Sequence, residues 1–241
     1  MHEVFGEKAV HPERLADIVR RTHHVDGQPT TAFDNARLLT SIDGHVTVRG
    51  FTDALGGMLA ADAGKRCWAD KTPDYGYFIG KLQKLWTNSK IIHLVRDGVA
   101  VASSMARHPG YQELARSEQL FWCPMSLDFE PELSQPGQSD PQQYVRLWHK
   151  RLQRTREEYA NLAVGSFREF RFESLVTEPN SVLREISAFV GLNPDAEWIN
   201  HASAMIDPRK ASKPRPLEWL EHFDDEATQM LFDLGYQAEQ H

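Results

Sequence analysis

Arg96 and Ser104 stand eight residues apart in the stretch "KIIHLVRDGVAVASSM", which runs from Lys90 to Met105. A guanidinium can grip a phosphate through two parallel hydrogen bonds, and a serine hydroxyl can donate to the same group. The residues around them supply a frame for that chemistry. Ile91–Val95 is a short, β-branched apolar run, the pattern of a strand buried on both faces of a parallel sheet. Arg96 then falls at the carboxyl edge of the strand, where open α/β sheets bind their ligands. Asp97-Gly98 predicts a tight turn, and "GVAVASSMAR" predicts a helix whose free N–H groups and dipole favour an anion. Ser104 lies two turns into that helix, with Ser103 beside it. A phosphate clamp is one reading of this pattern. The other is that Arg96 pairs with a local carboxylate and the serines are small packing residues.

Lys71 is the second residue whose setting suggests chemistry. In "CWADKTPDY" it follows "RCWAD", a candidate short strand, and precedes a helix that Thr72 or Asp74 could cap, with Pro73 near its first turn. A lysine so placed can meet an anionic oxygen or a developing negative charge. The commoner fate of a single lysine is a solvated one.

The elements that must position these residues alternate helices with short apolar strands, which predicts an α/β fold with a parallel sheet. "HPERLADIVRRTHH" has helical spacing at Leu15, Ile18 and Val19. "SIDGHVTVRG" is a hairpin or a loop into "FTDALGGMLAADAG", a helix weakened by Gly56-Gly57. "DYGYFIGKLQKLW" predicts one helix, and residues 142–162 another, with Tyr144, Trp148 and Leu152 four residues apart. "SFREFRFE" predicts a strand, "EPNSVLREISAFVGL" a helix closed by Gly191, and "DDEATQMLFDLGY" a terminal helix. His93, inside the apolar strand, is expected to be a hydrogen-bonded core residue. Residues 124–141 read as a surface loop or lid, and "DPRKASKPRPLEW" as a basic, proline-rich loop.

The 241 residues are 41% hydrophobic and 25% charged, with a net charge of −7 and a pI near 5.9. That composition is globular and argues against nucleic-acid binding, so an anionic ligand needs a local positive pocket. The two cysteines, Cys67 and Cys123, have no metal-ligand spacing; no metal site is expected, and a reducing compartment is. No signal peptide or membrane-length apolar run is read, so the expected location is cytoplasmic, away from membranes.

Taken in order, "WADKTP", "IIHLVRDGVAVASSM" and "RFESLVTEP…VLREISAFVGL" resemble the sulfotransferases that use 3′-phosphoadenosine 5′-phosphosulfate (PAPS), and look closest to the bacterial and tyrosylprotein-type branch. The resemblance spans about Trp68 to Tyr236. It implies a P-loop-NTPase-like three-layer fold, a short parallel sheet flanked by helices, in a single domain over 1–241, with a helical leader to residue 65 and the family-like core from 66. It implies PAPS as co-substrate and transfer of a sulfuryl group to a hydroxyl or amine of a small molecule or polymer. By the resemblance Arg96 and Ser104 bind the 3′-phosphate and Lys71 lies near the transferred group. Phe172, in "FESL" where the family has Tyr-Glu-Asp-Leu, lies near the adenine; it keeps a ring and loses a hydroxyl. Lys213 and Arg215, before Trp219, resemble loosely the family's late basic loop over the 3′-phosphate. Tyr111, Phe121 and Trp122 could line an acceptor pocket or simply pack.

Two features depart from the family. Such enzymes open with a strand and a turn of the kind "PRSGTT" that holds the 5′-phosphosulfate, and no such stretch precedes Trp68. The chain therefore reads as a member lacking its first βα unit, whether as a truncated gene model, a fragment or a protein that has lost the site. The sheet should then lack its central strand and leave one edge of Ile91–Val95 unpaired. The histidine that serves as base in the cytosolic branch is replaced by Pro73; His23 and His24 are candidates, each more often a surface residue, and no base is assigned. The competing expectation is a degenerate, inactive domain that binds a nucleotide weakly or binds a protein partner.

Overall fold

The computed structural model describes residues 9–21, 32–116, 140–210 and 215–236. The chain forms two compact units, one ending at Thr72 and the other beginning at Pro73.

The first unit is helical. Helices α1 (Pro12–Arg21), α2 (Asn35–Thr40) and α3 (Val48–Asp62) enclose a small core of Ala16, Leu38, Phe51 and Met58. Side-chain caps start two of them: Asp34 accepts from the Arg37 N–H and Thr47 from the Gly50 N–H. Asp43-Gly44 makes a turn with Gly44 at φ +67°, and Val46 forms a single antiparallel bridge with Val10, so this stretch is a loop into α3 and not a hairpin. Gly56, inside α3, lets the indole of Trp68 lie directly on the helix, which is the packing reason for a glycine there. The strand expected at Arg66–Asp70 does not form. These five residues are irregular and exposed, and only Trp68 among them packs, against α3.

The second unit carries the sheet. A 3₁₀ turn (Pro73–Tyr77) leads into α4 (Ile79–Leu85), β1 (Ile91–Val95), α5 (Gly98–Met105) and α6 (Pro109–Arg116). There follow α7 (Pro141–Tyr159), β2 (Phe167–Arg171), α8 (Phe172–Thr177), α9 (Pro179–Phe189), α10 (Ala196–Ala204), two further 3₁₀ turns (Pro208–Lys210 and Leu217–His222) and α11 (Asp225–Asp233). The helix predicted over 74–86 thus divides at Phe78. Asp74 does not cap it: its carboxylate pairs with Arg151 of α7 at 2.7 Å, which ties the 3₁₀ turn to the long helix.

Among the described residues the sheet has two strands, parallel and in register from Ile91↔Phe167 to Val95↔Arg171. Its two faces differ. On one, His93 Nδ1 and Glu169 Oε2 meet at 3.0 Å across the strands, and Phe167 stacks on Tyr159 of α7 with centroids 4.3 Å apart. On the other, Ile92 and Leu94 are 42% and 43% exposed, although Phe170 opposite Leu94 is buried. Arg168 lies over the Phe170 ring and pairs with Glu185 of α9, so cover reaches β2 and stops short of β1. The expectation of a strand buried on both faces is corrected accordingly.

The main core joins β1, α5, α6, α7 and α11 through Val95, Val99, Leu114, Trp148 and Leu231, with Trp219 and Phe223 packed against it. α5 crosses α7 so closely that the helix opens on a glycine. A Cβ at Gly98 would collide with the Trp148 indole, whose ring also meets Phe223 at 5.7 Å.

Two predictions follow from this packing. Gly98→Ala should cost about 1–3 kcal/mol of stability, the usual penalty for overfilling a tight core, read as a lower urea midpoint at unchanged m-value; an unshifted midpoint would show that Trp148 is free to move. Burial raises the pKa of both Tyr77 and Tyr236 above the ordinary 10.0. As pH rises through 10 the unfolded chain releases these protons while the folded chain holds them. The unfolded state then binds fewer protons, and stability falls. Urea midpoints at pH 8 and pH 10.5 should show that fall, and in the Tyr77→Phe, Tyr236→Phe double variant it should be smaller.

Candidate functional site

The site is the turn between β1 and α5. β1 ends on buried Val95, and Arg96 emerges from the strand end with its guanidinium 4.7 Å from the centroid of the Phe172 ring. Register explains the meeting: Val95 pairs with Arg171, so the next residue on each strand stands beside the other. Stacking on a ring orients a guanidinium without using its five N–H donors. Among the described residues the Arg96 side chain makes no hydrogen bond and no ion pair, so those donors remain available.

Asp97 holds the turn. Its carboxylate accepts from the Val99 N–H at 2.9 Å, which caps α5, and pairs with Arg215 Nε at 2.6 Å. Both partners are well covered, at 17% and 13% side-chain exposure, so the pair is screened little by solvent. The Asp97 N–H in turn donates to Glu173 Oε1 at 3.1 Å, and the second oxygen of Glu173 accepts from the Tyr236 hydroxyl at 2.6 Å. Arg171 lies 4.2 Å over the Tyr236 ring. Three guanidinium groups, on Arg96, Arg171 and Arg215, thus surround two carboxylates, and the turn carries local positive charge in a chain that is acidic overall. A stacked, uncommitted guanidinium beside such a turn can take an anion of phosphate size.

The residues predicted from sequence are placed as follows. Arg96 and Phe172 come together, and Arg215 reaches the adjacent residue, Asp97, to which it is bound. Phe172 opens α8 instead of ending a strand, because the chain turns helical right after Arg171. Ser104 is exposed on α5 and Ser103 is buried; Ser103 Oγ accepts from Arg107 at 2.8 Å, while the Ser104 hydroxyl makes no hydrogen bond among the described residues. Ser104 is therefore the free serine of the two. Lys71 lies in the irregular end of the first unit, exposed, with no hydrogen bond or ion pair among the described residues. Tyr111 packs against the core, with Arg151 5.5 Å from its ring. Lys213, Phe121, Trp122, His23 and His24 lie outside the described residues. His93 is bonded to Glu169, as expected, but it is only partly buried and is not part of the core.

Glu173 and Tyr236 are the participants that sequence reasoning passed over. Glu173 was visible as the second residue of "FESL", but an acidic residue at a strand end gives no hint that it will accept a backbone N–H 76 positions upstream. Tyr236 gives no signal in the sequence beyond its place after Gly235, whose φ of +76° ends α11 and brings the phenol back. Among the described residues there is no group of His, Cys, Asp or Glu side chains that could hold a metal ion, and no helix long and apolar enough to cross a membrane.

Comparisons with known proteins bear on this arrangement. Among solved structures, the fold is similar to the sulfotransferase domain from the curacin biosynthetic pathway, with a TM-score of 0.55 at 19% identity over 85% of this chain and 72% of that one. A comparison with curated proteins finds no match. The family model described as "Sulfotransferase family" matches residues 3–196, more than three quarters of the sequence and both compact units. This α/β chain, with its short parallel sheet flanked by helices, belongs to the sulfotransferase family.

Proposed function

We propose that the protein transfers a sulfuryl group from PAPS to a hydroxyl or amine acceptor, a small molecule or a polymer, and that Arg96 holds the 3′-phosphate of the nucleotide. The observation that carries this reading is the Arg96 guanidinium, stacked on Phe172 at the carboxyl end of β1 with its donors uncommitted among the described residues. A buried or half-buried arginine normally finds a carboxylate; this one has Asp97 next in sequence, and that carboxylate is taken by Arg215 and by the helix cap. Ser104 supplies a free hydroxyl from the helix that follows the turn. The Phe172 ring is assigned to the adenine. Arg215 screens Asp97, which would otherwise repel the phosphate. Lys71 is assigned to the transferring group, where an ammonium offsets charge building on the bridging oxygen as the phosphate leaves.

A second reading has its own support. No glycine-rich turn behind an apolar strand precedes Trp68, and the described part of that region is helical. A domain that binds the nucleotide through the 3′-phosphate and does no chemistry fits the same site. Turnover separates the two readings, since only the enzyme releases adenosine 3′,5′-bisphosphate from PAPS in step with acceptor sulfation.

Titration calorimetry with adenosine 3′,5′-bisphosphate tests the phosphate assignment. Arg96→Ala should weaken binding by about 10- to 100-fold, the worth of a lost charge-assisted hydrogen-bonded pair. Unchanged affinity would remove Arg96 from the site. Lys71→Ala should behave differently. Turnover should fall by about 10²–10³-fold, as at comparable preorganised sites, while affinity for the desulfated nucleotide changes little. Near-normal turnover in Lys71→Ala would make it a surface lysine, and equal loss of affinity in both variants would assign Lys71 to binding alone.

A further inference from the structure

Arg96 is gripped at two points by consecutive residues. The Phe172 ring underlies its guanidinium, and the Glu173 carboxylate holds the N–H of the peptide that joins Arg96 to Asp97. That N–H fixes the peptide plane and so the direction in which the Arg96 side chain leaves the strand. Glu173 is itself fixed from the far end of the chain. The Tyr236 hydroxyl donates to its other oxygen, the phenol ring is buried beneath Arg171, and the Tyr236 N–H donates to the Leu231 carbonyl at the end of α11.

We infer that Glu173 and Tyr236 are positioning residues, which hold Arg96 in the orientation that receives the nucleotide's 3′-phosphate. This rests on the assignment of Arg96 to that phosphate. Neither residue touches the ligand. Each acts through the backbone of the arginine, so its contribution appears only with ligands that the arginine contacts. Removing the Tyr236 hydroxyl leaves Glu173 free to turn away from the Asp97 N–H, and Arg96 then samples directions that miss the phosphate.

Calorimetry on the full chain with two ligands tests this: adenosine 3′,5′-bisphosphate, and adenosine 5′-phosphate, which lacks the 3′-phosphate. The wild type should prefer the bisphosphate. Tyr236→Phe should reduce that preference by about 5- to 20-fold, less than a hydrogen bond to a charged group is worth because Arg96 still finds the phosphate part of the time. Binding of adenosine 5′-phosphate should stay the same. In an Arg96→Ala background Tyr236→Phe should add nothing, because both changes act on one contact. Glu173→Gln retains an acceptor for the Asp97 N–H and should lose less preference than Glu173→Ala. This pair carries the test if Tyr236→Phe does not fold. Equal weakening of both ligands, an additive double variant, or an unchanged preference would overturn the positioning role while leaving the phosphate assignment standing. A wild type that does not distinguish the two ligands would overturn the phosphate assignment and this inference together.

Discussion

The carboxylate of Asp97 is the point on which the second unit turns. It caps α5 by accepting from Val99 and neutralises Arg215, and its own backbone N–H is held by Glu173. Three separate parts of the chain converge there: the strand end, the start of α8 and the segment after the second 3₁₀ turn. One small side chain satisfies both the helix terminus and a well-covered arginine, and among the described residues the neighbouring Arg96 pairs with no carboxylate. Local saturation of the negative charge leaves the Arg96 guanidinium without an ion pair among the described residues. Breaking this arrangement from either end leaves a poorly solvated charge, which costs more than a surface ion pair gains.

Close packing fixes the same turn from below. Gly98 follows Asp97 and meets the Trp148 indole with no room for a side chain, so α5 starts at one height over α7. The turn is therefore held electrostatically above and sterically beneath, and Arg96 leaves a rigid base.

Much of this was legible in the sequence, for identifiable reasons. The strand at Ile91–Val95, the Asp-Gly turn and the helix behind it are specified by local composition: a β-branched run, a turn pair and small helix-compatible residues. Residue types and spacing likewise singled out Arg96. Other features depend on contacts distant in sequence. The apolar pattern of β1 could not reveal that cover ends over β2, and "RCWAD" forms no strand among the described residues. The single helix read over 74–86 breaks because Arg151 draws Asp74 into a 3₁₀ turn, a pairing 77 residues apart. Arg215 was singled out as a basic residue of a late loop, but its pairing with Asp97, 118 positions upstream, is a property of the fold. Helices α6 and α10 were passed over because each is short, at eight and nine residues.

The central claim is that Arg96 is an anion ligand held ready by stacking. A crystal structure of the protein with adenosine 3′,5′-bisphosphate tests it most directly. The account predicts the 3′-phosphate oxygens within hydrogen-bond distance of the Arg96 guanidinium, at the carboxyl end of β1, with Asp97 still bound to Arg215. A nucleotide seated elsewhere, with Arg96 remaining on Phe172 and touching no phosphate, would contradict it.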